Sequence, residues 1–461
     1  MKKIISAILM LTLLLSACVG LAEGSTGSAP VEKDRLALLT EAASAETLAY
    51  KGGLEIMHFS TSEEAAGNGA SVAFRTINTA WAAAHPDVTL SQNILANDEY
   101  KTQIAVLAGA DDLPDVFLLQ GMNTAQWAAQ GLIYDLTETI TNSPDVDSYD
   151  LSKLYAFTSN DKYYGYPVLT EGSCVVLLYD KQMWKDAGYD SFPETWDEVL
   201  AAKEYFDAQG INVMAFGNGG KWQVNSTFLT TVGDRFTGHE WFYSLIEKGG
   251  AKFTDPEFVS ALKFTQDIFA SGIFNPDFNV VTNEDAREYY ISGDAASYIG
   301  GNWDVMYMGA TLKEIDPEKY ANIGFAVLPQ PAGATATYKT HATGQGYAVA
   351  INAKLTGDKL EAAKSLAAFI TGPEYGKYVG EDFALSSFAA PESVDLSAFD
   401  QFTQDFYNYY DNEGSEIYDS YLTGEVWDVL NTDLQNLLNG TITPEEVAEK
   451  TEAAYESSYL N

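Results

Sequence analysis

Thr195-Trp196-Asp197-Glu198-Val199 and, further on, Gly210-Ile211-Asn212-Val213-Met214-Ala215-Phe216 bound the stretch that decides the fold. Thr195 and Glu198 have the spacing of a capping box, in which the threonine hydroxyl and the glutamate carboxylate each satisfy the other residue's backbone N–H. Val199, Ala202 and Phe206 then recur on one helical face, and Gly210 stops the helix. Asn212 to Phe216 reads as the next strand, and upstream Ser173-Cys174-Val175-Val176-Leu177-Leu178-Tyr179 is an apolar run of β type. Strand, helix and strand in that order argue for α/β architecture with largely parallel sheets.

Working outward, the alternation continues. Leu54 to Phe59 is a strand candidate, a helical stretch runs around Val72 to Ala84, and Asp115 to Leu119 is a second short apolar run. Ala363, Leu366, Ala367 and Ile370 repeat at helical spacing and end at Gly372-Pro373. The length exceeds a single ordinary core, which predicts two lobes. In open α/β sheets ligands sit beyond the carboxyl ends of strands. The candidates are therefore Ser60 and Thr61, Gln120 and Asn123, Gly217 to Trp222 with Asn225 beyond, and Gly301, Asn302 and Trp303. Amides and hydroxyls beside flat aromatic faces suit a polyhydroxylated, uncharged ligand: the amides meet hydroxyls, the rings meet the C–H faces of a pyranose.

The N-terminus gives an address. Lys2 and Lys3 precede a short apolar run, Ile4 to Leu13, and Leu15-Ser16-Ala17-Cys18 resembles a bacterial lipoprotein box. The run is too short to span a bilayer, which takes about 20 apolar residues. Residues 1–17 are thus expected to be a signal peptide, Cys18 the lipidated N-terminus, and 18–50, with the Gly/Ser/Ala/Pro stretch Gly20 to Pro30, a flexible tether. The expected location is the outer face of the cell membrane. The net charge is −39, or −41 without the two signal lysines, and such a field repels nucleic acid and anionic membrane surfaces. Of the two cysteines only Cys174 would stay free, as a buried, inert thiol, since nothing near it in sequence lowers its pKa.

Catalytic signatures are largely missing. The chain has no G-x-S-x-G elbow, Walker loop, H-E-x-x-H helix or dinucleotide fingerprint, and His58, His85, His239 and His341 lack zinc-ligand spacing. Asp145 to Asp150 and Asp411 to Glu416 lack the EF-hand ligand order and read as solvated turns, so neither metal nor cofactor is expected. A glycosidase needs only two carboxylates, and 65 acidic residues leave that alternative open.

Several segments together resemble the extracellular sugar-binding lipoproteins of bacterial ABC importers, a family similar to the maltodextrin-binding protein. They are Tyr166-Pro167-Val168-Leu169-Thr170-Glu171 leading into Leu178-Tyr179-Asp180-Lys181, Pro193 to Glu198, Gly300-Gly301-Asn302-Trp303, Ile323 to Pro329, and Gly344-Gln345-Gly346-Tyr347-Ala348-Val349. The resemblance implies a periplasmic-binding-protein-like fold of two α/β lobes joined by three hinge crossovers around a ligand cleft. The crossovers would lie near Val168 to Gly172, Leu328 to Pro331 and Phe383 to Phe388. Lobe I is expected at 51–167 plus 332–382, lobe II at 168–331 plus 383–461. Carried over residue by residue, Glu171 matches a hinge-adjacent acid that contacts sugar hydroxyls. Trp222 falls where an aromatic stacks on sugar, Trp303 matches the tryptophan of a Gly-Pro-Trp turn whose second position is Asn302 here, and Trp427 aligns with another stacking tryptophan. Gly344, Gln345 and Ser386 complete the implied ligand set. Leu119, Gln120, Met122 and Asn123 replace the family's aromatic and charged group after the second strand, which points away from maltodextrin itself. The implied protein is a monomeric, non-enzymatic receptor that binds a neutral mono- or oligosaccharide and delivers it to an ABC permease. The rivals are an extracellular glycoside-active enzyme and the same fold binding a polyamine or peptide.

Overall fold

The computed structural model describes residues 29–62, 69–148, 151–168, 172–336, 342–382, 397, 399–410, 415–422 and 424–460. In the first lobe, strand Gly52–His58 lies between parallel Val88–Ile94 and Val116–Gln120, and Tyr347–Ile351 then pairs antiparallel with Val116–Gln120 and with Tyr166–Pro167. Helix Gly69–Ala84 puts Ala73, Phe74, Ile77, Ala80 and Trp81 on one stripe against this sheet, and helix Gly357–Phe369 contributes Ala363, Leu366 and Ala367. Trp81 is core, and its indole N–H donates to Ser365 Oγ at 3.1 Å, so burial leaves no orphaned donor there.

The second lobe is built on Gly172–Asp180. Val175 and Leu177 face one core while Cys174, Val176 and Leu178 face another, the period-two alternation of a strand covered on both sides. Its partners Ser297–Gly301, Ile323–Ala326 and Ala342–Gln345 all run antiparallel to it. The expectation of largely parallel sheets is thereby corrected. Alternating helices and strands do not fix strand direction when the chain leaves a lobe and returns through another crossing.

Helix Trp196–Gln209 forms as read: Thr195 and Glu198 make the reciprocal capping box, and Gly210 is left-handed at φ 73°. Trp196 and Trp127 are also core. Asn212 to Phe216 is extended but is no ladder strand. It makes isolated parallel bridges, Asn212 to Ala295, Met214 to Phe274 and Ala215 to Tyr298, and its Phe216 N–H goes to the Asn275 side chain.

Two boundaries differ from those read in the sequence. Residues 18–50 are not all tether: Ala29–Ala43 is helical, and Leu39 and Ala43 are buried in the first core. The segment Leu328 to Pro331 is not where the chain changes lobes. Leu328 is buried in the second-lobe core, the Arg235 guanidinium donates to the carbonyls of Leu328 and Pro329, and Ala342–Gln345 still pairs with the Gly172 strand. The chain crosses at Gly346, between Gln345 in the second sheet and Tyr347 in the first. Cys18, most of the glycine-rich stretch, Glu171, His341 and the crossover at Phe383 to Phe388 lie outside the described residues. Among the described residues no helix is long and apolar enough to cross a membrane.

Candidate functional site

Both lobes contribute to one cleft of about 730 Å³, within the range of small-molecule sites. From the first lobe, Phe59, Ser60 and Thr61 follow the central strand, Gln120 to Met122 follow its neighbour, and Asp98 and Lys101 come from helix Asn97–Gly109. The second lobe brings three tryptophans, Trp222, Trp303 and Trp427, together with Asn302, Asp304, Arg287 and Asp419. Trp222 and Trp303 stand edge to face with centroids 5.9 Å apart. Lys101 crosses from the first lobe to place its ammonium 4.8 Å from the Trp222 ring centroid, while its other contact is Asp98 at 3.1 Å.

Gly300 and Gly301 serve close approach. Gly301 is extended, with φ −143°, so no left-handed turn requires it. A Cβ at Gly301 would fall inside the Trp303 ring, and one at Gly300 would strike Asp304 and Tyr298. Trp303 therefore lies flat over a bare backbone, half-buried, with its indole N–H enclosed and unpaired among the described residues.

Beneath it runs a polar network. Asp304 is fully buried and accepts from Asn283 at 2.8 Å, Tyr298 at 2.8 Å and the Gly301 N–H at 3.2 Å, with the Arg287 guanidinium 3.5 Å away. Desolvation outweighs these contacts and pushes its carboxyl up to about 6. Arg287 also stacks on Tyr307 at 4.3 Å. The network fixes the first turn of helix Asn302–Ile315, which carries Asn302 and Trp303.

Of the candidates read from the sequence, Ser60, Thr61, Gln120, Trp222, Asn302, Trp303 and Trp427 line the cleft. Asn302 accepts the Cys174 N–H at its side-chain oxygen at 2.8 Å. Four candidates do not line it. Asn123 ends the turn Gly121–Asn123 behind Met122. Asn225 is buried one residue from the cleft-lining Ser226, inside the π-helical segment Val224–Leu229. Gly344 packs against Ile417 and Ser420. Gln345 is buried and donates to the carbonyls of Val168 at 3.1 Å and Tyr347 at 2.7 Å, so it ties two crossing segments together. Glu171 and Ser386 lie outside the described residues. Cys174 is fully buried, and burial drives its thiol far above the usual range, as an inert thiol requires.

Sequence reading missed Asp98, Lys101, Arg287, Asp304 and Asp419. The first two had a signal, because Val88 to Ile94 alternates like a strand and they lie just past its end. Asp419 sits in the short turn Tyr418–Ser420, which no periodicity marks.

Two α/β lobes around a single aromatic and amide-lined cleft define a protein that encloses a small ligand between domains. The pattern described as bacterial extracellular solute-binding protein matches residues 67–377, and the chain belongs to that family. It is 26% identical over 296 residues to an uncharacterized ABC transporter extracellular-binding protein of Pyrococcus horikoshii, covering 61% of each chain. It is 23% identical over 398 residues to the melibiose/raffinose/stachyose-binding protein MelE of Bacillus subtilis, covering 83% of this chain and 85% of that one. Among solved structures, a chitin oligosaccharide binding protein superposes with a TM-score of 0.77 at 21% identity, over 89% of this chain and all of the other. At that identity the likeness shows the fold, a two-lobed periplasmic binding protein.

Proposed function

We propose that this protein is an extracellular receptor that binds a neutral oligosaccharide and delivers it to an ABC import permease. The observation that carries the reading is the convergence of Trp222, Trp303 and Trp427 with Gln120, Asn302 and Ser60 in one inter-lobe cleft. Rings cover pyranose faces, and amides and hydroxyls meet sugar hydroxyls. Family membership and the sugar-binding relatives support the same ligand class. The receptor is non-enzymatic and monomeric, and the Leu15-Ser16-Ala17-Cys18 box anchors it through lipid on Cys18. Of the acids that line the cleft, Asp98, Asp304 and Asp419 are each engaged by neighbouring donors, and Glu284 and Asp285 lie at the rim.

A thermal-shift screen of purified protein against neutral oligosaccharides tests the reading, since a ligand at 100 times its Kd adds about 2.7 kcal/mol. Calorimetry then gives stoichiometry. One-to-one retention of intact glycan is expected, and turnover of the glycan, or no response to any sugar, refutes the receptor. Anchoring is tested separately: Cys18→Ala should move the protein from the membrane to the soluble fraction with its melting temperature unchanged, and unchanged retention on the membrane overturns the anchor.

A further inference from the structure

Asp419 is a cleft carboxylate held at the seam of the lobes by fewer donors than Asp304. The turn Tyr418–Ser420 is fixed in the second lobe: the Ile417 N–H donates to the Thr343 carbonyl at 2.8 Å and the Tyr418 N–H to Thr230 Oγ1 at 3.0 Å. The same turn presses its Ser420 carbonyl against Gly121 of the first lobe, where a Cβ would collide with it. Asp419 therefore stands at the seam of the lobes, with its side chain in the cleft between Ser226 and Trp427. Ser226 Oγ donates to Oδ2, and the Trp427 side chain also hydrogen-bonds the carboxylate. Desolvation raises the pKa of this group, and the charge of Lys101 opposes the rise.

Two donors orient the carboxylate and leave about half of its four lone-pair directions open. A carboxylate accepts only, so what it faces must donate. The other charges of the cleft sharpen this demand. Lys101 is paired with Asp98 and Arg287 faces Asp304, so both cations of the cleft lining already meet an acid, while Glu284 and Asp285 add further negative charge at the rim. Among the described residues an anionic ligand finds no cation in the cleft lining that is not already engaged, and a carboxylate of its own would face Asp419.

We infer that Asp419 is the residue that sets the charge class of the ligand: it takes two adjacent hydroxyls of a neutral glycan and rejects glycans that carry uronic acids or sulfates. Discrimination of this kind rests as much on the repulsive element as on the attractive one. The inference rests on the saccharide reading of the cleft and goes further by naming one residue and one excluded class.

The experiment is calorimetric titration of the wild type, Asp419→Asn and Ser226→Ala with stachyose, raffinose, and chito- and malto-oligosaccharides, and with oligogalacturonides as the acidic arm. Circular dichroism melting of each unliganded variant accompanies it. The wild type is expected to bind at least one neutral glycan and to bind the acidic ones at least 100-fold more weakly. Asp419→Asn keeps shape but replaces an acceptor by a donor. It should lose at least 30-fold for the neutral glycan with its melting temperature held, and narrow the gap to the acidic glycan at least tenfold. Ser226→Ala should lose only a few-fold. Neutral affinity of Asp419→Asn within threefold of the wild type, or equal wild-type affinity for acidic and neutral glycans, overturns the assignment. A loss matched by a drop in the unliganded melting temperature, with the gap unchanged, also overturns it and makes Asp419 structural. If the wild type binds none of the neutral glycans, the saccharide reading itself falls and takes this one with it.

Discussion

Gly301→Ala tests the geometry of the site at its most constrained point. The added Cβ would overlap three ring atoms of Trp303, more than about 1 Å inside the 3.5–4.0 Å at which carbon atoms rest. The ring must therefore move, but it is already in edge contact with Trp222, 5.9 Å between centroids, and the polar network around Asp304 holds the backbone beneath it. If the ring holds its place, the cost is that of overpacking, about 1–3 kcal/mol. If it swings into the cleft, the stacking face is lost and affinity falls by tenfold or more, equivalent to about 1.4 kcal/mol. Each route requires the indole. Trp303→Ala removes it, and a sugar-stacking aromatic should cost about 2–4 kcal/mol of binding. In that background the alanine at 301 meets no ring, so it should cost nothing further in affinity or melting temperature. Urea denaturation and calorimetric titration of the two single variants and the double variant give the coupling energy, expected at 1–3 kcal/mol for a contacting pair. The reasoning is refuted if Gly301→Ala matches the wild type in both assays, or costs as much without the tryptophan as with it.

Asp304 carries a pH signature. Its carboxyl is raised from the ordinary unfolded value near 3.9 to about 6, so the folded state binds its proton more tightly, and the associated stability is present below about pH 4 and lost as pH rises through 6. Relative to Asp304→Asn, the wild type should lose about 2–3 kcal/mol between pH 4 and 7; urea midpoints at pH 4, 5, 6 and 7 measure it, and a pH-independent difference refutes it. Gln345→Ala removes the amide donor from the carbonyls of Val168 and Tyr347 and should destabilise the protein by about 1–3 kcal/mol in urea unfolding; a change below about 0.5 kcal/mol would refute a tying role for the amide. Saturating oligosaccharide should quench or shift tryptophan emission, because three indoles line the cleft, and should narrow the spread of lobe separations measured by small-angle scattering; unaltered signals from a bound glycan would exclude closure by hinge motion.

What the sequence made legible follows from the range of the forces involved. The helix Trp196–Gln209 was readable because its start, stripe and stop are all encoded within one short segment. Asn302 and Trp303 were readable because they follow a glycine pair at a strand end, although the glycines act through the close approach of the ring and not through a left-handed turn. Strand direction in the second lobe was not readable. The partners of Gly172–Asp180 come from three distant segments, and apolar alternation is the same for parallel and antiparallel neighbours. The resemblance placed a lobe change at Leu328 to Pro331, but Arg235, far away in sequence, binds its carbonyls and keeps it in the second lobe. Asp419 lies on a short turn that no periodicity marks, and only tertiary packing brings it to the tryptophans.

The contact of Lys101 with Trp222 bears on how the lobes are held together. A cation over an indole contributes about 0.5–1 kcal/mol when exposed and about 2 when desolvated, and Lys101 is mostly covered, with its side chain 20% exposed. Shifting a two-state equilibrium from 1:99 to 99:1 takes about 5.5 kcal/mol. This contact alone falls short of that, and the Lys101–Asp98 pair, which lies within one first-lobe helix, adds nothing between the lobes. On the proposed saccharide reading, a pyranose stacked on Trp303 and bonded to the first-lobe amides and Asp419 would add its contacts only when both lobes are in place, because Gln120 and Ser60 belong to one lobe and the three tryptophans to the other. On that reading, differential affinity for the closed form is what couples ligand to conformation. A residue on the seam such as Asp419 weighs on closure and on ligand choice through the same hydrogen bonds.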